Sequence, residues 1–120
     1  MLQRGIRGAI TLEKNDAQDI EEATVELIQK LLDDNQIKSE QISHVIFTLT
    51  NDLTAAFPAK FARIHFRWDF VPMMCFNELN IDGALGKCLR VLIVVNTDKK
   101  QDEIVHAYLK DAKKLRPDLL

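Results

Sequence analysis

The sequence predicts an α+β fold, or a closely related α/β fold, in which helices cover one face of a mixed β-sheet. Three observations support this prediction. Strand-like and helix-like segments alternate along the chain, one long segment has apolar residues at helical spacing, and one largely apolar run is typical of a buried strand. The 120 residues are 47% apolar and 28% charged, which fits a single globular domain over residues 1–120.

The first strand and the long helix come from the N-terminal part of the chain. Residues 2–13 are the predicted strand, and Gly5 and Gly8 interrupt it. Glycine inside a strand often marks a bulge or a close approach of another group. The helix is predicted over residues 16–35, where Asp16 can cap the N-terminus. Its apolar face comprises Ile20, Ala23, Leu27, Ile28, Leu31 and Leu32.

Three shorter elements follow in the middle of the chain. Residues 43–51 alternate as a strand does, and the side chains that share one face are Val45, Phe47 and Leu49. Pro58 suits the first turn of a short helix, "PAKFARIHF". The apolar segment 70–76 contains Pro72, so it predicts an edge strand or an extended segment.

The C-terminal part predicts one clear strand and one helix. Residues 88–97, "CLRVLIVVNT", are the clearest strand of the sequence. Residues 101–115 suggest a helix that Pro117 ends, and the residues expected on one side of it are Ile104, Tyr108 and Ala112. A sheet with helices on one face leaves its other face exposed, and subunit association is the usual way to cover such an apolar surface.

Composition narrows the class of protein. The net charge of −2 and the sequence pI of about 5.9 argue against a generic nucleic-acid binder, although "KFARIHFRW" mixes basic and aromatic residues. No apolar run approaches the roughly 20 residues that span a bilayer, and the N-terminus lacks the apolar core of a secretory signal. We therefore expect a cytoplasmic protein that binds neither nucleic acid nor membrane, with Cys75 and Cys88 as free thiols.

The usual catalytic motifs are missing from the sequence. Its histidines, His44, His65 and His106, have no metal-ligand spacing, and the two serines and the absence of a glycine-rich phosphate loop argue against a serine triad or a nucleotide site. Cys75 has no histidine nearby in sequence, so a structural or hydrogen-bonding thiol is the favoured interpretation. A metal site is therefore not expected.

Arg90 is the feature that points to function. It interrupts an apolar strand and in alternation shares a face with Cys88, Leu92 and Val94. If that face is buried, the guanidinium requires an anion within hydrogen-bond reach. The protein could supply the anion as Glu78, or a ligand could supply it as a carboxylate or phosphate.

Several motifs together resemble a known family. They are "RGIRGA" (4–9), "FPAKFAR" (57–63), "VPMMCFNEL" (71–79), "CLRVLIVVNTD" (88–98), "AYL" (107–109) and "LRPDL" (115–119). In order and spacing they resemble the monofunctional AroH-class chorismate mutases from about residue 4 to residue 119. The resemblance implies a trimer with a pseudo-α/β-barrel arrangement and active sites between adjacent subunits. It also implies the rearrangement of chorismate to prephenate, toward phenylalanine and tyrosine, without cofactor or metal.

The resemblance implies roles for individual residues. Arg7 would bind a substrate carboxylate, and Arg90 would contact both the ether oxygen and a carboxylate. Cys75 and Glu78 would meet the ring hydroxyl of the substrate. Tyr108 would close on a carboxylate.

Other positions would complete the pocket. The segment supplied by the neighbouring subunit comprises Phe57, Ala59, Lys60 and Arg63. Met73 and Met74 would line the pocket largely through their backbone, and Leu115 with Arg116 would form a C-terminal cover. An alternative is a small trimeric protein of similar architecture that binds carboxylates or hydrolyses imines. The joint presence of the residues assigned to catalysis favours the mutase.

Overall fold

The computed structural model describes residues 2–119, which form five strands and two α-helices. These elements are β1 (Leu2–Thr11), α1 (Ala17–Asn35), β2 (Ile42–Leu49), α2 (Pro58–Phe66), β3 (Met73–Asn77), β4 (Cys88–Thr97) and β5 (Ala107–Leu109). Short 3₁₀ helices cover Ser39–Gln41, Gln101–Glu103, Lys110–Leu115 and Pro117–Leu119. The α+β class and the first six elements are confirmed.

The strands form one mixed sheet in the order β3-β2-β4-β1-β5. The central strand β4 pairs antiparallel with both β1 and β2, and this position explains its nearly continuous apolar sequence. The edge strands β3 and β5 are each parallel to their neighbour. Pro72 stands directly before β3, and its carbonyl accepts a hydrogen bond from the Val45 N–H at 2.9 Å. The prediction of an edge strand is therefore confirmed, because proline is tolerated at such a position.

Both α-helices pack on the same face of the sheet. α1 begins after Asp16, whose side chain accepts a hydrogen bond from the Asp19 N–H at 2.7 Å. The helix approaches β1 at Gly8, where a Cβ atom would lie 2.8 Å from a Leu31 methyl carbon and 3.0 Å from a Leu27 methyl carbon. Gly8 thus permits the close helix–strand contact that its position suggested. No helix within residues 2–119 combines the length and apolar character needed to cross a membrane.

Strand alternation gives the sheet a covered face and an open face. Val45, Phe47 and Leu49 are buried on the covered face, as predicted. On the open face, the register aligns one residue from each of four strands in a single row: Thr48, Arg90, Ala9 and Tyr108. Arg90 therefore points away from the helices, toward the face on which the site is built.

The prediction of a helix over residues 101–115 is wrong. This segment forms the strand β5 between two 3₁₀ helices. The buried Asn35 holds the approach to β5, because its side-chain oxygen accepts the Val105 N–H at 2.8 Å and its amide donates to the Val105 carbonyl at 2.8 Å. Ile104 joins the main core, whereas Tyr108 and Ala112 pack in a separate cluster, so these residues do not share one helical face. Tertiary contacts override a modest helical pattern here.

Candidate active site

Arg90 lies on the open face, and most of its side chain is shielded from solvent. Its side chain is 23% exposed, and its Nε is buried without a hydrogen-bond partner among residues 2–119. The closest acidic atom is Oε2 of Glu78, at 3.5 Å from Nε. This distance indicates an ion pair but not a hydrogen bond. Arg90 therefore keeps one donor available at a fixed position.

Arg90 opens onto a cavity of about 340 Å³. The residues that line it are Arg7, Ile46, Thr48, Glu78, Arg90, Val91 and Leu92. We call it the arginine cavity. Two arginines and one glutamate line it, together with apolar residues. Planar guanidinium groups bind carboxylates well, so this composition suits a small anionic ligand with an apolar part.

Glu78 directly follows β3 and lines the arginine cavity. Its N–H donates to the Leu49 carbonyl at 2.8 Å, which fixes its backbone against the end of β2. Its carboxylate oxygen Oε2 accepts a hydrogen bond from the Thr48 hydroxyl. The oxygen Oε2 thus has one protein donor and one cation beside it.

Arg7 and the β5 segment form the other side of this region. The Arg7 guanidinium carbon lies 6.0 Å from the centre of the Tyr108 ring. The Arg7 backbone N–H donates to Nδ1 of His106 at 2.9 Å, which requires this nitrogen to be unprotonated. Burial, with the charges of Arg116 and Arg7, lowers the pKa of His106 and favours that state.

The C-terminal residues pack over Tyr108. Tyr108 is 4% exposed and clusters with Ala9, Cys88 and Ala112, and the half-buried Leu115 packs against this cluster. Arg116 donates to the carboxylate of Asp118 at 2.9 and 3.1 Å. Hydrogen bonding to Asp118 raises the pKa of Arg116, and Tyr108 contributes in the same direction. Leu115 and Arg116 therefore lie next to Tyr108, on the side of the sheet that carries Arg90.

Side chains in the loop after β2 anchor the start of β4. The Lys87 N–H donates to both carboxylate oxygens of Asp52, at 2.9 and 3.0 Å. The Thr50 hydroxyl donates to Asp52 at 2.6 Å and accepts the Cys88 N–H at 3.0 Å. Arg90 follows two residues later, so it is mounted on a strand whose beginning is held by several hydrogen bonds.

Cys75 occupies a different environment from Arg90. It pairs in register with Phe47 and packs against the main core on the covered face. It lines a second cavity of about 460 Å³, whose other residues are Leu49, Leu53, Thr54, Ala55, Ala56, Phe57, Phe76 and Asn77. Burial raises the pKa of the Cys75 thiol, so the thiol is neutral near pH 7 and is suited to hydrogen bonding rather than nucleophilic attack.

Phe57 and the start of α2 lie beside Cys75. We call Phe57, Ala59, Lys60 and Arg63 the α2 group. Phe57 is 71% exposed, and Ala59 is half-buried against the core. Lys60 and Arg63 are exposed and form no salt bridge within the part of the chain that the structure describes. Two cations on one short helix and the aromatic ring of its N-cap residue are thus presented to solvent.

The residues expected to form the site therefore fall into two sets within one chain. Arg7, Glu78 and Arg90 line the arginine cavity, with Tyr108 beside Arg7. Cys75 and the α2 group lie on the covered side of the sheet or at its β3 edge. Met73 is half-buried in the main core, whereas Met74 is 60% exposed and takes the opposite orientation in β3.

Two residues of this region were missed by the sequence interpretation as site residues. Thr48 bonds to Glu78 and lines the arginine cavity. The sequence did contain one signal for Thr48: strand alternation places it on the face opposite Val45, Phe47 and Leu49. Cys88 is fully buried beside Arg90; burial raises the pKa of its thiol, and the Arg90 charge opposes that shift.

Comparison with known proteins identifies the family. Residues 3–119 match the family model of chorismate mutase type I. The chain belongs to the chorismate mutase type I family. It is 48% identical over 117 residues to Chorismate mutase AroH of Thermus thermophilus. This alignment covers 97% of this chain and 95% of the Thermus protein. It is 42% identical over 119 residues to Chorismate mutase AroH of Bacillus subtilis (strain 168), with 99% and 94% covered.

A solved structure agrees with this assignment. The fold matches that of a chorismate mutase from Clostridium thermocellum with a TM-score of 0.89 at 42% sequence identity. The match covers 92% of this chain and 98% of that one. The chain is thus a chorismate mutase, an isomerase, and the findings do not favour the alternative of a carboxylate-binding or imine-hydrolysing protein.

Proposed function

We propose that this chorismate mutase converts chorismate to prephenate, in phenylalanine and tyrosine biosynthesis, with Arg90 as the group that stabilises the transition state. The observation that carries the proposal is the buried Nε of Arg90. It has no hydrogen-bond partner among residues 2–119 and faces a cavity that contains a second arginine. A donor held in this way is ready for an anionic substrate and needs little reorganisation when one binds.

The chemistry suits such a site. The rearrangement is unimolecular: one C–O bond breaks as one C–C bond forms, and no proton is transferred. The reaction needs neither a metal nor a cofactor, because the protein can act by holding the flexible dianion in its compact reactive shape. Negative charge develops on the ether oxygen as the C–O bond stretches. A fixed cation at that oxygen binds the transition state more tightly than the substrate.

We assign roles to the charged residues of the arginine cavity and to Tyr108 and Cys75. Arg90 contacts the ether oxygen and one carboxylate, which its planar guanidinium can do at once. Arg7 binds a carboxylate, and Tyr108 closes on one. Glu78 accepts a hydrogen bond from the substrate hydroxyl. Cys75, which lies on the covered side with the α2 group, would be a weaker partner of that hydroxyl where the two sets of residues meet between subunits. The two arginines offset the charge of Glu78 beside a dianion.

We further propose that the complete site forms between subunits of a homotrimer with a pseudo-α/β-barrel arrangement. Within one chain the arginine cavity opens on one face of the sheet, while the α2 group stands on the covered side. The open face also exposes apolar side chains: Met74 is 60% exposed, Phe76 is 47% exposed and Leu92 is 37% exposed. An apolar surface of this kind favours association. A neighbouring subunit would cover it and bring its own α2 group to the arginine cavity.

In this arrangement the remaining residues bind the substrate. Phe57, Ala59, Lys60 and Arg63 of the neighbour close the cavity, and the two cations add attraction for the dianion. Met73 and Met74 contribute largely through backbone groups. Leu115 and Arg116 cover the site from the C-terminal side. The free cysteines suit a reducing compartment, so we place the enzyme in the cytoplasm, with neither nucleic acid nor membrane as a partner.

The test is a direct assay of the purified protein. Chorismate is added without metal or cofactor, and both its disappearance and the appearance of prephenate are followed. We expect stoichiometric conversion that a chelator does not change. A protein that binds chorismate without forming prephenate would contradict the proposal. The mass in solution, about three times the 13.8 kDa of one chain, tests the trimer.

A further inference from the structure

We propose that Thr48 is a positioning residue that holds the Glu78 carboxylate away from Arg90, and so keeps Arg90 available to the substrate. The inference rests on the proposed function, since it concerns the same cavity. It assigns a role to a residue outside the set expected from the sequence. The contact that points to it is the hydrogen bond from the Thr48 hydroxyl to Oε2 of Glu78.

Thr48 is well placed and stiff. It pairs directly with Arg90 across β2 and β4, and it lines the arginine cavity. A hydroxyl can donate one hydrogen bond, and here the Glu78 carboxylate accepts it. Threonine is branched at Cβ, which restricts its side chain to few rotamers. The hydroxyl therefore acts as a fixed point on the rigid sheet.

The position of Glu78 indicates that its hydrogen bond with Thr48 prevents a closed ion pair with Arg90. An unrestrained guanidinium–carboxylate pair closes to about 2.7–2.9 Å and is often bidentate. Here the distance from Arg90 Nε to Glu78 Oε2 is 3.5 Å, and Nε has no hydrogen bond within the described residues. The backbone of Glu78 is fixed separately by its bond to the Leu49 carbonyl. The choice between a closed pair and an open one thus depends on the side chain, and Thr48 biases it toward the open arrangement.

The functional consequence is a competition that Thr48 suppresses. If Glu78 closed on Arg90, the substrate would have to break that pair before its own carboxylate or ether oxygen could bind. The apparent affinity falls in proportion to the fraction of protein that is competent to bind. Loss of the Thr48 hydroxyl should therefore appear mainly in KM. A threonine that only fills space or supports the sheet would instead affect thermal stability.

The experiment compares Thr48→Val, Thr48→Ala and Thr48→Ser in chorismate mutase assays. Thr48→Val keeps the shape of the side chain and removes the hydroxyl, whereas Thr48→Ala removes both the hydroxyl and the γ-methyl group. We expect both to raise KM about tenfold or more, the usual scale for a hydrogen bond to a charged group. Thr48→Ser keeps the hydroxyl and should stay within about twofold of the parent. Ser43→Ala is the matched control, because it removes a hydroxyl from the other end of β2, outside the cavity.

A double-mutant cycle with Glu78→Gln separates the inference from its rivals. Glu78→Gln removes the charge that would pair with Arg90, so adding Thr48→Val should change KM by less than about twofold. The inference is overturned if Thr48→Val and Thr48→Ala leave KM unchanged, or if the increase persists in the Glu78→Gln background. Failure of the parent protein to convert chorismate would instead refute the proposed function itself.

Discussion

Replacement of Arg90 by alanine should reduce kcat by on the order of 10³. Loss of one preorganised donor to a developing oxyanion costs about 2.7–4 kcal/mol, or about 10²–10³ in rate. The upper end applies here, because the side chain is only 23% exposed and Nε is buried, so solvent screens it weakly. Arg90→Ala also leaves the Glu78 carboxylate, 22% exposed, without its neighbouring cation.

Arg90→Lys refines this prediction. The lysine keeps the positive charge but cannot place two parallel donors on an ether oxygen and a carboxylate, so we expect it to recover only part of the lost rate. Initial rates of chorismate loss, measured at saturating substrate, report kcat for each variant. Arg4→Ala is the matched control, since Arg4 donates to the Lys99 carbonyl at 2.9 Å and does not line the arginine cavity. Near-normal turnover by Arg90→Ala would refute the reasoning.

Two further predictions concern Cys75 and Asp52. Cys75→Ser should change kcat/KM by less than about fivefold in the same assay, because a neutral thiol is a weak hydrogen-bonding group; a loss above about 10² would show that our role for Cys75 is wrong. Hydrogen bonds from Thr50 and the Lys87 N–H lower the pKa of Asp52 below its ordinary value of 3.8. The resulting stability is present above that ordinary value and is lost as pH falls through the lower folded-state pKa. Asp52→Asn should therefore lower Tm near pH 6 and have a shrinking effect toward pH 3, as thermal unfolding at several pH values can measure; an effect that is constant with pH would contradict this.

The fold was predictable wherever local chemistry and tertiary packing agree. In α1 the cap at Asp16 and the buried apolar face both favour a helix. In β4 the apolar sequence agrees with a central position between β1 and β2. The segment 101–115 was not predictable in this way. Its extended course depends on Asn35, which is distant in sequence, and on pairing of β5 with β1. A local pattern contains neither contact.

The site was predictable in part. An arginine in an apolar strand indicated a need for an anion, and Glu78 stands 3.5 Å from it. Strand alternation grouped Arg90 with Cys88, Leu92 and Val94, but the structure was needed to show that the helices cover the opposite face. The contact of Thr48 with Glu78 could not be read from sequence, because it depends on the register between strands and on the turn after β3. The location of Cys75 on the covered side likewise follows from the pairing of β3 with β2.

The claim that the site joins two subunits has one direct test, which is activity recovered by mixing two variants that are each impaired in one half of the site. Arg90→Ala removes the central cation, and the double variant Lys60→Ala/Arg63→Ala removes both cations of the α2 group. If each site takes Arg90 from one subunit and the α2 group from its neighbour, equal mixing by co-refolding restores about one quarter of the sites. We predict that recovery. An activity equal to the average of the two separate variants, in trimers shown by mass to contain both chains, would contradict the account.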